Sequence, residues 1–126
     1  MQWQIVKRVA ELCYFHHEMD GWVSELWEEM NEEQRAELPQ LGTQQPWIYN
    51  PKRRAILQAE LDAIFAHLYD LNTEDLRCIL DPEDICGKGC INETFRVLKD
   101  NEIRQYGEYR TKRLVLEAWN NFGYNC

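Results

Sequence analysis

In the last third of the chain, Tyr106-Gly-Glu-Tyr109-Arg-Thr-Lys-Arg113 sets three cations and two aromatic rings around a glycine. Such residues suit nucleic-acid contact, because guanidinium and ammonium groups neutralise phosphate while tyrosine rings pack on sugar or base. With Arg104 on the same segment, the candidate DNA-contact residues are Arg104, Tyr106, Tyr109, Arg110, Lys112 and Arg113. A structural reading competes with this one. Arg110 or Arg113 pairs with Glu60 or Asp62 of a central helix and locks two helices in register. The formal net charge of −8 and the small size of the basic cluster count against duplex binding. Each reading can hold for different residues.

The remaining reactive residues form no complete constellation. Cys86-Gly-Lys-Gly-Cys90 offers one thiol pair, with His16 and His17 as conceivable further ligands, but a structural zinc site shows two paired knuckles. Reduced thiols in a Gly-Lys-Gly turn are expected there, and a reversible disulfide is the next option. Glu25, Glu28, Glu29 and Glu32 share a helical face, yet no Glu is followed by His three residues later as di-iron bundles require, so a solvated acidic face is expected. Ser24, the only serine, lacks a Gly-x-Ser-x-Gly elbow. His67 reads as a hydrogen-bonded structural histidine. Adenine methylation needs a Phe-x-Gly-x-Gly cofactor loop and an Asn-Pro-Pro-Tyr-like motif, and neither occurs. No catalytic residue and no cofactor is expected on this chain.

Helical periodicity dominates the elements that must position these residues. Trp3, Val6, Ala10, Cys13 and His17 recur at helical spacing, so residues 2 to about 17 read as an amphipathic helix. Trp22, Val23, Leu26, Trp27 and Met30 define a second helix after Gly21. Residues 31–38 read as a further short turn stopped by Pro39, and residues 39–49 as a surface connector carrying Gly42 and Pro46. Asn50-Pro51 starts the central helix, with Leu57, Leu61, Ile64, Phe65 and Leu68 on one face and Ala55, Ala59, Ala63 and Ala66 permitting close neighbours. Asp70 stands where a C-terminal glycine is favoured, Asn72 or Thr73 caps a short helix through Leu80, and Pro82 ends it. A loop follows over 81–91. Asn92 caps a helix ending near Gly107, and Glu108 to Phe122 closes the chain, burying Val115, Ala118, Trp119 and Phe122. These readings predict an all-α fold, a single domain over 1–126 built as an irregular bundle of about five to seven helices.

At 126 residues the chain is large enough to bury a core as one domain. A hydrophobic fraction of 44% and a charged fraction of 29% argue for a folded domain rather than disorder. No apolar run approaches a membrane span and no signal-peptide pattern opens the chain, so a cytoplasmic location without membrane contact is expected. Five cysteines without dense spacing fit reduced thiols. Charge is uneven. Residues 1–50 hold three basic and nine acidic side chains, and residues 94–113 hold six basic and three acidic ones.

The Tyr106–Arg113 run resembles the C-terminal end of large bacterial adenine-specific DNA methylases of restriction–modification and phage-defence systems, the type IIG-like proteins. Glu11-Leu-Cys-Tyr14, Trp47-Ile-Tyr-Asn-Pro-Lys-Arg-Arg54, Gln58-Ala-Glu-Leu-Asp-Ala63, His67-Leu-Tyr69 and Asp75-Leu-Arg-Cys-Ile-Leu80 resemble the same tail in the same order. Asp70 and Cys78 replace the Gly and Tyr of that pattern, and the Cys86–Cys90 loop is not part of it. The resemblance implies a non-catalytic segment that buttresses DNA target recognition or docks on the methylase core, with S-adenosylmethionine belonging to the parent protein. It also implies DNA contact through the parent, and self-association of the isolated segment through an exposed apolar patch. The alternative is a stand-alone helical protein–protein interaction module or remnant.

Overall fold

The computed structural model describes residues 2–87 and 93–123, and every regular element among them is helical. Nine α-helices and one 3₁₀ turn occur among the described residues: α1 Gln2–Cys13, the turn His17–Met19, α2 Asp20–Glu29, α3 Glu32–Glu37, α4 Pro39–Thr43, α5 Pro51–Leu68, α6 Thr73–Leu80, α7 Pro82–Cys86, α8 Glu93–Tyr106 and α9 Arg110–Gly123. The all-α expectation holds, with more helices than anticipated. The excess comes from two prolines. Pro39 and Pro82 each stop one helix and occupy the first position of the next, where a missing N–H costs no bond. The region 39–49 is therefore more than a connector: it carries α4, whose Leu41 is fully buried.

The chain divides into two compact units, Met1–Arg54 and Ala55–Cys126. The boundary falls inside α5, where no shift in composition marks it, whereas the sequence reading treats 1–126 as one domain.

In the first unit, Ala10, Tyr14, Val23, Met30 and Leu41 form the core, with Trp3, Leu26, Trp27 and Trp47 packed against it. Full burial of each large apolar side chain contributes about 1.5–3 kcal/mol. Helix α1 ends at Cys13 rather than near His17, because the next residues turn so that Tyr14 enters the core and its hydroxyl donates to Asp20 Oδ1 at 2.6 Å. Burial first, and then the Asp20 hydrogen bond and charge, push the Tyr14 hydroxyl up to about 12. Asn31 and Gln34 form a reciprocal capping box on α3. Arg35 donates twice to the Trp27 carbonyl and lies 5.0 Å from its ring centroid. Gly42 is required where α4 meets that indole, since a Cβ there would stand 2.7 Å from Trp27 Cζ2.

In the second unit, Ala59 and Ala66 of α5 meet Leu76 and Leu80 of α6 and Val115 of α9. The expected apolar face of α5 is corrected in part: Leu57 and Ile64 are buried, but Phe65 and Leu68 are exposed and the alanines at 59, 63 and 66 take the core positions. Small side chains let helix backbones approach closely, so the aromatic ring loses that place. His67 stacks on the Trp119 indole at 4.5 Å, and its Nε2 donates to the Trp119 carbonyl at 3.0 Å, which is the structural role expected of it. Asp70 takes a left-handed φ of 60°, and Leu71 N–H donates back to the Ala66 carbonyl.

Two stability changes follow from these positions. Asp70→Gly should raise the unfolding free energy by about 0.5–1 kcal/mol, because glycine adopts a positive φ freely and the change removes a negative charge from a helix C-terminus. Gly42→Ala should lower it by about 1–3 kcal/mol through overpacking against Trp27. Urea unfolding followed by circular dichroism measures both.

Candidate functional site

The Tyr106–Arg113 run lies at the junction of α8 and α9. Gly107, with φ 77°, donates its N–H to the Ile103 carbonyl and ends α8. The chain then turns, and α9 begins at Arg110 rather than Glu108. Tyr109 is buried at that turn, and its hydroxyl donates to the Leu80 carbonyl at the end of α6 at 3.0 Å. Burial, followed by the charges of Glu102 and Asp81, pushes this hydroxyl up to about 12. A ring so placed is core, and it cannot also pack on a nucleotide.

The cations are held by carboxylates of the same unit. Lys112 Nζ lies 3.2 Å from Asp81 Oδ2 and 2.9 Å from Asp84 Oδ2. Lys99 of α8 reaches Asp81 Oδ1 at 2.8 Å and Glu83 at 3.3 Å, while Arg77 of α6 closes the set on Asp84 at 2.8 Å. Asp81 is buried between α6 and α7 and therefore ties α8 and α9 to that corner. Burial by itself would raise the Asp81 carboxyl, but the hydrogen bonds and charges of Lys99 and Lys112 outweigh it and hold the group below the usual carboxylate range. Hydrogen bonds from Lys112 and Arg77 lower Asp84 in the same sense.

Glu102 is the buried carboxylate of α8, only 5% exposed. One oxygen accepts the Thr111 N–H at 3.0 Å, so α8 supplies an N-terminal cap to α9. The other stands 3.7 Å from Arg110 Nε, a charge contact longer than a hydrogen bond. Arg110 also lies over the Tyr106 ring at 4.0 Å. Arg113 bridges Glu108 at 3.0 Å and Glu117 at 3.2 Å on the solvent side.

The expected ion pairs are thus corrected in their partners. Arg110 and Arg113 find Glu102, Glu108 and Glu117, not Glu60 or Asp62. Glu117 lies one helix turn from Arg113 and Glu108 just before α9, while Glu102 is brought to Arg110 by the packing of α8 on α9. Of the six candidates, Arg104 and Tyr106 on α8 and Arg113 on α9 are exposed, Arg110 and Lys112 are half-buried and Tyr109 is buried. Sequence reasoning missed Asp81, Asp84, Lys99 and Glu102. The Asp81-Pro-Glu-Asp84 run, acidic and next to a proline, was the available signal, since such a cluster attracts the lysines that follow.

Other candidates are placed locally. His16 Nδ1 accepts the Glu18 N–H, and His17 lies 3.1 Å from Asp20, so both serve the turn after α1. Cys86 is an exposed free thiol at the end of α7, and Cys90 lies outside the described residues. The α2 carboxylates Glu25, Glu28 and Glu29 are exposed, and so is Glu32 at the start of α3.

Segments quoted for the methylase resemblance meet one another. Glu11–Tyr14 meets Trp47–Arg54: Trp47 N–H donates to the Tyr14 carbonyl at 2.9 Å, Arg53 pairs with Glu11 at 2.8 Å, and Arg54 donates to the Leu12 carbonyl at 2.6 Å. Likewise the α6 segment ending at Leu80 receives the Tyr109 hydroxyl.

The depressed carboxylates set a pH dependence. Because Asp81 and Asp84 have folded values below their unfolded ones, their contribution is present above the ordinary carboxylate value of 3.8 and is lost as pH falls through the folded values. Melting temperature should therefore fall below about pH 4, and this fall should be smaller in Asp81→Asn. Glu102→Ala should cost about 1–2 kcal/mol through the lost cap, and Tyr109→Phe about 1 kcal/mol, both read by chemical denaturation. Comparison with protein-family models, curated proteins and solved structures finds no match to this chain.

Proposed function

We propose that this chain is a non-catalytic helical segment of the kind that ends bacterial adenine-specific DNA methylases, and that it docks on a methylase core rather than reading DNA itself. The observation that supports this reading is the use of the cationic run. Lys112, Arg110 and Arg113 are compensated by Asp81, Asp84, Glu102, Glu108 and Glu117 within the chain. A compensated cation releases few counterions on meeting phosphate, so affinity for duplex DNA from this run is small. The contacts between resembling segments point the same way, because they account for those residues as builders of a scaffold. S-adenosylmethionine and the transferred methyl group then belong to the partner. A stand-alone protein-interaction module is the second reading, and the exposed apolar side chains Ile48 and Tyr49 favour a protein partner under either.

Co-expression with a type IIG-like methylase core that lacks its own tail should yield a co-purifying complex with restored site-specific methylation. Absence of any complex with such cores would remove the methylase reading. Within the complex, Arg113→Ala should leave the salt dependence of DNA binding unchanged. A slope reduced by about one would instead identify Arg113 as a phosphate contact.

A further inference from the structure

The first unit carries a rigid aromatic and apolar surface that its own core does not use. Phe15, Ile48 and Tyr49 are 46%, 91% and 59% exposed. Phe15 and Tyr49 meet edge to face with ring centroids 5.6 Å apart. The Arg54 guanidinium lies 5.2 Å from the Phe15 centroid and 4.9 Å from that of Tyr49, and is fastened by its bond to the Leu12 carbonyl. On either side of Ile48 and Tyr49 the backbone is anchored. Trp47 N–H is bound to Tyr14, and the Asn50 side chain caps α5 by accepting from Lys52 N–H and Arg53 N–H. Ile48 therefore projects into water from a fixed backbone, without the stabilisation that burial of such a side chain contributes.

The charge around this surface is positive in a chain whose net charge is −8. Lys52 is exposed, Arg54 borders the rings, and the N-terminus of α5 adds the positive end of its dipole. Glu11, the carboxylate bonded in this region, is held by Arg53. Clustered Tyr, Phe and Arg held in place before binding are what interface anchors consist of, because little freedom is lost when a partner covers them. A nucleic acid fits less well. Arg53 is paired with Glu11, so Lys52 and Arg54 offer about two phosphate contacts, while most of the surface is apolar or aromatic.

We propose that Phe15, Ile48, Tyr49, Lys52 and Arg54 form a docking site for an acidic polypeptide segment that presents an apolar side chain to Ile48 and the rings, with its carboxylates toward Lys52 and Arg54. The proposal rests on the docking reading above and assigns its surface. Random-sequence peptides displayed on phage and selected against the full chain should be enriched in Asp and Glu beside an apolar residue. The synthetic consensus peptide, titrated calorimetrically, should bind Ile48→Asp or Tyr49→Ala at least about tenfold more weakly, with unchanged melting temperature for Ile48→Asp because that side chain lies in solvent. Lys52→Glu should weaken binding and flatten its salt dependence. Peptides without acidic bias, affinity indifferent to these substitutions, or displacement of the peptide by oligothymidylate would overturn the proposal. If a methylase-core complex forms and survives Ile48→Asp and Tyr49→Ala, docking uses another face and this site falls alone. If peptides bind as described while no core associates, the methylase reading falls and the site stands.

Discussion

Asp81 is the group on which the C-terminal unit depends. It sits buried where α6 passes into α7 and receives one ammonium from α8 and another from α9. Burial opposes the charge of a carboxylate in that position, and the hydrogen bonds and charges of the two lysines outweigh that opposition. Its effect on architecture exceeds its energy. Helix α8 has few apolar contacts to hold it: Val97, Leu98 and Ile103 are exposed, and Glu102 is the buried residue among its described side chains. The helix is positioned by Lys99, by Glu102 capping α9, and by Arg110 over Tyr106. Polar contacts, being directional, fix the α8–α9 junction more narrowly than apolar burial of the same extent would.

This polar junction alters the meaning of the cationic run. Taken by residue type alone, cations and aromatics side by side suggest phosphate and base. In place, Tyr109 is core, Lys112 is half of a clamp, Arg113 has Glu108 and Glu117 within a turn or so, and Arg110 faces Glu102 of the neighbouring helix. Charge left for a polyanion is therefore smaller than the count of Lys and Arg implies. The first unit shows the converse. Its front half is acidic by count, yet Lys52 and Arg54 at the start of α5 make a local positive rim beside exposed rings.

The helices themselves were legible because their signals are local. Asn31 with Gln34 and Asn72 with Asp75 form the capping boxes that such spacings favour, Pro51 follows a capping Asn50, and Gly107 ends α8 with the positive φ that glycine permits. Misreadings were local too. Pro39 and Pro82 signal stops by residue type, although a residue without an N–H also suits the first position of the next helix. Asp70 in the left-handed region shows that a position can demand glycine geometry and still hold an aspartate, whose short polar side chain tolerates it.

By itself, then, the sequence determined the helical class, most helix ends and the absence of a methyl-transfer motif, since each depends on periodicity, capping chemistry or contiguous residues. Tertiary structure decided which carboxylate each cation meets, which of the α5 side chains enter a core, and where the two units part. Those outcomes depend on distances between residues far apart in the chain. Glu102 reaching Thr111, Lys112 reaching Asp81 and Trp47 reaching Tyr14 leave no mark at any one position, because several acids and bases would satisfy the same composition and only packing selects among them.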